Sequence, residues 1–472
     1  MANDRVRANR KTSFNPSLLP LGRAAYCAGK DIVMPAIAKI LIVFAGMLVL
    51  ARVKVPLGLA LVGGGVALNL WAGLPVGVTL GHVGAALRAA DLWLLMAVTV
   101  LIIELGRHIT RPGNADELMA ATRRWGGRHG RAASLMALPA VVGLVPMPAG
   151  ALFSAPLVQK AGEGMQTTPA WLAAVNYWHR HVWEYWWPLY PGVIVAISLF
   201  EMDTRLFMAV QAPFSLVALG AGYFFLVRPH LREAPAHEAG AAGSSRRALM
   251  TLLPLMTVVG SLFVFPPLLR LLLPAAEPQV QKLSCVLLGL ILGMLVISVD
   301  EWLQRRARTA DAAAERVRLF AAVLQPKSLG ILFALTGVLL FKSLLMSSDL
   351  LPAAGRELVE SGIPLAVAVA TLPFLAGLVT GIAVGFVAIA FPLVVGLMAA
   401  EGSGLTPLAT LVLAYGFGYM GMMLSPVHLC FLVTREYFGA RMLDVYRAIT
   451  PCILSVAVYA LLAHGLLSAL HW

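Results

Sequence analysis

The sequence is short of charge: Asp, Glu, Lys and Arg make up only 12% of its 472 residues, against roughly 25% in an ordinary soluble domain. With 59% hydrophobic residues and a mean hydropathy of +0.82, this excludes a soluble enzyme and leaves no polar segment long enough to bury a core of its own. Cysteine is scarce as well. Cys27, Cys285, Cys430 and Cys452 are scattered without a CxxC pair or metal-ligand spacing, so they read as reduced, structurally bland thiols. No GxxxxGK[ST] motif is present, which argues against ATP-driven pumping by this chain. Residues 1–33 are polar and basic and lack the apolar core of a signal peptide. They read as a disordered extension, with Met34, just before the first apolar run, as the expected native start. The net charge of +13 is spread over short loops rather than gathered in one basic patch with stacking aromatics, so nucleic acid is set aside.

What the chain has in abundance is apolar runs near the ~20 residues needed to cross a bilayer. Ten are expected to span: 35–50, 57–77, 92–106, 169–200, 206–227, 248–270, 282–299, 329–346, 407–433 and 447–470. Lys and Arg alternate between the intervening loops, 21 in one set (51–56, 106–131, 228–247, 299–328, 433–447) and five in the other. The first set is therefore assigned to the cytoplasm.

Two further apolar stretches, 132–160 and 363–397, sit at equivalent places. LPAVVGLV (138–145) then PLV at Pro156 matches LPFLAGLV (372–379) then PLV at Pro392. Each leads to a Thr-Pro helix start (Thr168-Pro169, Thr406-Pro407), a tyrosine eight residues on (Tyr177, Tyr415) and a proline nineteen on (Pro188, Pro426). An ordered series of this kind implies duplication. Each unit (34–230 and 248–472, joined by a linker at 231–247) reads as three spans, a hairpin and two spans. Five crossings per unit invert the second copy. The expectation is an all-α polytopic membrane protein with two re-entrant hairpins in two inverted-topology repeats.

Residues 132–160 make about 43 Å of helix, whereas two crossings need roughly 60 Å. The first hairpin should therefore turn back at Pro146-Met147-Pro148-Ala149-Gly150, and the second, by equivalence, around Thr380-Gly381. Broken backbone at membrane depth is tolerated where protein buries it or where it lines a wet cavity. Inert packing hairpins are one reading; the two walls of one solute site are the other.

The segment NYWHRHVWEYWWPLYPG (176–192) concentrates ionisable groups. Counting from Pro169, His181 lies ~18 Å along the helix, where polar groups usually face a bundle interior. His181 and Glu184 share a helix face while His179 points elsewhere, and Pro188 frees the Glu184 carbonyl. A proton relay or gate, an aromatic interfacial belt and a His179/His181/Glu184 metal site all remain open from the residues alone. Arg180 reads as snorkelling or pairing with Glu184.

The runs PMPAGALFSAPLV, NYWHRHVWEYWWPLYPG and GYMGMMLSPVHLCFL resemble an uncharacterised prokaryotic membrane family, domain of unknown function 401, from about Met34 to the carboxyl terminus. The resemblance implies membership of the ion transporter superfamily: a two-hairpin inverted-repeat fold with elevator-like motion, commonly carrying carboxylates with Na⁺ or H⁺. The Ser-Asn-Thr hairpin tips of the dicarboxylate branch are absent here, so its dicarboxylate and sodium assignments do not carry over.

The functional expectation is a secondary transporter of the prokaryotic inner membrane. It would move a small anionic solute such as an organic acid, coupled to H⁺ or Na⁺, with no cofactor and with a homodimer as a candidate assembly. The expected binding residues are Pro146, Pro148, Gly150, Ser154, Asn176, His181, Glu184, Thr380, Gly381, Gly385, Ser425 and His428. The rivals are a membrane-embedded metal-dependent enzyme and a passive channel.

Overall fold

A computed structural model describes residues 34–109, 130–144, 146, 150–231, 245–307, 326–400 and 402–471. Among the described residues it is all helical, without strands. Proline sets many helix starts, because its fixed φ suits the first turn and its missing N–H is not needed there. It precedes α1 (Ala36–Arg52), α2 (Leu57–Trp71) and α3 (Val76–Arg88). Then follow α4 (Ala90–Ile109), α5 (Gly130–Gly143), α6 (Ala151–Ala161), α7 (Pro169–Arg180), α8 (Pro191–Leu199) and α9 (Thr204–Ala221). The last continues through a π-helical turn (Gly222–Val227) into α10 (Arg228–Leu231).

The remainder of the chain forms α11 (Ser245–Leu272), α12 (Pro278–Ala307), α13 (Pro326–Met346), α14 (Leu350–Glu360), α15 (Leu365–Thr380), α16 (Ala383–Met398), α17 (Pro407–Met423), α18 (Leu429–Phe438) and α19 (Met442–Ala469).

Five helices are individually long and apolar enough to cross a membrane: 204–231, 252–272, 279–300, 329–346 and 442–469. A sixth crossing is available if α3 and α4, bent by 50°, act together. Several segments depart from the hydropathy reading, among them the expected spans 169–200 and 407–433, each divided into two helices. The expected span 57–77 ends at Trp71, because Gly73 takes a left-handed turn (φ 85°) and Pro75 opens a new helix. The expected loop 78–91 is mostly that helix. The loop 347–361 likewise contains α14, whose Glu357 carboxylate accepts from the Ala36 and Ile37 amides at 2.8 and 2.9 Å, placing a negative charge on the amino-terminal dipole of α1.

Burial sorts the helices. Fourteen of the seventeen residues of α17 are buried, as befits a helix apolar all round. By contrast α19 exposes Leu454, Val458, Leu461, Leu462 and Leu466, and α11 exposes Phe263, Val264, Leu271 and Leu272. Apolar surface on this scale has no place in water. The chain is a helical membrane protein.

The four arms α5, α6, α15 and α16 have 14, 11, 16 and 16 residues, or about 17 to 24 Å of helix each. Close backbone approach fixes them against the helices beside them. A Cβ on Gly143 would collide with the Arg180 carbonyl, and one on Gly377 with the Gly418 carbonyl. Gly143 and Gly377 are matching positions in the two similar segments, as are Arg180 and Gly418.

Candidate functional site

Thr168 caps α7 by accepting from the Trp171 amide, with Pro169 at the first helical position. The helix ends at Arg180, and a run of turns carries the chain from His181 to Pro191, where α8 begins. The break therefore precedes Pro188 by a full two turns rather than kinking one continuous helix. The second break, Leu424 to His428, is shorter.

A buried break must find donors for its loose carbonyls. Pro188 has no N–H to give Glu184, and the Tyr415 hydroxyl on α17 donates to the Glu184 carbonyl instead, at 2.8 Å. Reciprocally, the Tyr177 hydroxyl on α7 donates to the Met423 carbonyl at 3.0 Å. Tyr419 donates to the His181 carbonyl at 2.5 Å, and Ser215 Oγ to that of Val182.

The tryptophans serve the same purpose. Trp183 and Trp187 donate to the Ala140 and Leu144 carbonyls at the end of α5 (2.8 and 3.1 Å), and Tyr190 to that of Gly143. Trp178 donates to Ala218 O and Trp186 to Ser215 Oγ. Trp178, Trp187 and Tyr190 are buried, so these rings knit the break to α5 and α9 and do not form an interfacial belt.

Around the first break stands a row of polar side chains shielded from solvent. Arg180 Nη1 lies 3.4 Å from Glu184 Oε1 and 3.2 Å from the Tyr190 hydroxyl. Glu184 Oε1 is 3.9 Å from His181 Nε2, which meets His428 Nε2 at 3.1 Å. Arg180 is 1% exposed, His181 1%, His428 5% and Glu184 7%. Hydrogen bonding orders the neutral rings. His181 Nδ1 lies 2.7 Å from the Tyr177 carbonyl; a carbonyl only accepts, so Nδ1 carries the proton and Nε2 a lone pair. His428 then offers its Nε2–H to that lone pair, with the Gly381 backbone as the partner beside the ring.

The remaining expected residues fall into two groups. Gly381 (φ 65°) turns the chain between α15 and α16, and a Cβ there would stand 2.9 Å from Ser425 Oγ and from the His428 amide. Thr380 bonds its own turn, donating to Ala376 O at 2.7 Å, and packs on Gly385. This second hairpin turn thus lies against Ser425 and His428, and through His428 next to His181. At the first hairpin, Asn176 Nδ2 donates to the Ala151 carbonyl (2.9 Å) and to Thr434 Oγ1 (3.3 Å), while Ser154 Oγ meets the same Ala151 carbonyl. Gly150 is buried at the start of α6 and Pro146 is partly exposed in the turn; Pro148 lies outside the described residues.

His179 is not part of the row. Its Nδ1 bonds the Val175 carbonyl and its Nε2 presses on Gly222 at the π-helical turn, so a His179/His181/Glu184 metal triad is not assembled. The trio whose ligand atoms do converge is His181, His428 and Cys430. Sequence reasoning gave no role to Arg180 beyond snorkelling or pairing, to the tyrosine hydroxyls or to Cys430; the recurrence of Tyr177 and Tyr415 eight residues after Thr-Pro was the one available signal. A cavity of about 300 Å³ bounded by Asp203, Arg205, Arg270, Lys282 and Cys285 lies apart from the row.

None of the curated proteins matches the sequence significantly. The profile of the family described as protein of unknown function (DUF401) matches residues 36–467. Covering nearly the whole chain and all the elements that build the row, that match means the chain belongs to the DUF401 family.

Proposed function

We propose that the protein is a secondary active transporter for a small anionic solute, coupled to H⁺ or Na⁺ and working by elevator-type alternating access. The observation that carries the reading is the Arg180–Glu184–His181–His428 row, buried where two broken helices meet both hairpins. Ionisable groups sequestered inside an apolar helical bundle are costly and mark pathways for solutes or protons. Arg180 supplies a buried guanidinium suited to a carboxylate or another oxyanion, and Glu184 neutralises it when no solute is bound.

The inverted-repeat architecture is part of the same proposal. It is supported by the matched glycine contacts of Gly143 with Arg180 and Gly377 with Gly418, and by the reciprocal tyrosines that bind the opposite break. It is supported too by hairpin arms shorter than the ~30 Å hydrocarbon core. Such repeats place their sites near the midplane between halves.

The test is uptake into proteoliposomes of whichever carboxylate, sugar acid, sulfonate or oxyanion raises the melting temperature of the purified protein. Accumulation that collapses when the proton or sodium gradient is dissipated, and that is lost in Arg180→Gln, supports the proposal. Flux down the solute gradient that ignores both ions would make the protein a passive channel and refute it.

A further inference from the structure

His181, His428 and Cys430 are all buried, and their ligand atoms lie within 4.8 Å of one another. They come from opposite breaks in the fold, 247 residues apart for the two histidines. Their spacing has the dimensions of a metal site. Two imidazole nitrogens on one tetrahedral zinc ion, each bonded at 2.0–2.1 Å, stand about 3.3 Å apart; the two Nε2 atoms here are separated by 3.1 Å. A thiolate at the zinc–sulfur distance would sit about 3.6 Å from each nitrogen, so Cys430 Sγ needs to close by little more than about 1 Å.

Two further features favour a ligand. A metal-binding histidine characteristically donates its other N–H to a carbonyl, which fixes the ring and the tautomer. His181 does so, from Nδ1 to Tyr177 O at 2.7 Å. The His428 ring, meanwhile, stands beside the Gly381 backbone, which can accept from its remaining N–H, the same kind of fixing contact.

We propose that His181 Nε2, His428 Nε2 and Cys430 Sγ bind one d¹⁰ transition-metal ion of the zinc class, with the fourth position facing Glu184. On binding, the Cys430 thiol releases its proton to solvent and the ion takes up the sulfur lone pair. The proton on His428 Nε2 moves to Nδ1, freeing the Nε2 lone pair for the ion. Borderline-soft nitrogen and sulfur donors select zinc over magnesium or calcium, which prefer oxygen. Glu184 Oε1, 3.9 Å from His181 Nε2, balances charge beside Arg180.

The probes are zinc and cobalt(II), added to the purified full-length chain after chelator treatment. Metal analysis after equilibrium dialysis should find about one zinc per chain, with affinity lowered at least about tenfold in His428→Ala. The cobalt-loaded protein should show a thiolate-to-cobalt charge-transfer band that disappears in Cys430→Ser. Retention of no zinc above the buffer blank would overturn the assignment, as would persistence of the cobalt band in Cys430→Ser. Should His428→Ala fail to fold in metal-free buffer, the near-isosteric Cys430→Ser spectrum decides alone. None of these readouts involves flux, so their failure leaves the transport proposal standing.

Discussion

Tyr415→Phe deletes a single oxygen, and its cost follows from where that oxygen points. The hydroxyl donates at 2.8 Å to the carbonyl of Glu184, four residues before Pro188, which has no N–H to offer. Without it the buried carbonyl loses its replacement donor, a penalty of about 1–3 kcal/mol. Scaled to a chain of this length, at about 2.1 cal/mol/K of unfolding entropy per residue, that is roughly 1–3 °C in melting temperature. The matched control is Tyr446→Phe, because the Tyr446 hydroxyl is buried and makes no hydrogen bond among the described residues; removing it should leave stability unchanged or slightly raised. Both are measured by intrinsic tryptophan fluorescence during thermal unfolding in one detergent. Equal melting temperatures for Tyr415→Phe and the parent, or an equal loss in Tyr446→Phe, would refute the claim that crossed tyrosines satisfy the breaks.

Other substitutions probe other contacts. Gly143→Ala and Gly377→Ala each push a methyl into a backbone carbonyl and should cost about 1–3 kcal/mol, whereas Gly220→Ala, with open space around it, should be neutral or stabilising; denaturation midpoints separate the two classes. Arg180→Met or Glu184→Gln alone strands a buried charge, at about 3–5 kcal/mol, and the double variant should be less destabilised than the sum of the singles; additive losses in a double-mutant cycle would show that the two side chains do not interact. Glu357→Gln removes the carboxylate from the start of α1, and should cost about 0.3–1 kcal/mol, diminishing with salt; a salt-independent loss would point to packing instead.

Much of the architecture was legible because the bilayer imposes simple rules. Scarce charge and long apolar runs announced a helical membrane protein, and the residue motifs pointed to the family whose profile matches the chain. The helix start at Thr168-Pro169 carries its own local chemistry, as does the left-handed turn at Gly381. What was not legible depends on partners far away in sequence. Hydropathy could not find α3, because Gly77, Thr79, Gly81, His82 and Gly84 dilute its apolar pattern. Nor could it show that Trp183 and Trp187 face α5 rather than lipid. An indole looks the same in sequence whether its N–H meets headgroups or the Ala140 carbonyl 43 residues away. Arg180 illustrates the point most sharply: beside a glutamate and four tryptophans it resembles a boundary charge, yet it is among the most buried large side chains of the protein.

The central claim is that two related halves enter the membrane from opposite faces and bring their hairpins together. Its most direct measurement is single-cysteine labelling with a membrane-impermeant thiol reagent in oriented vesicles, in a background without native cysteines. Glu163→Cys follows the first hairpin and Ser361→Cys precedes the second; both positions are exposed. The account predicts that the two label from opposite sides, Glu163→Cys from the cytoplasmic one. Labelling of both from the same side would contradict it.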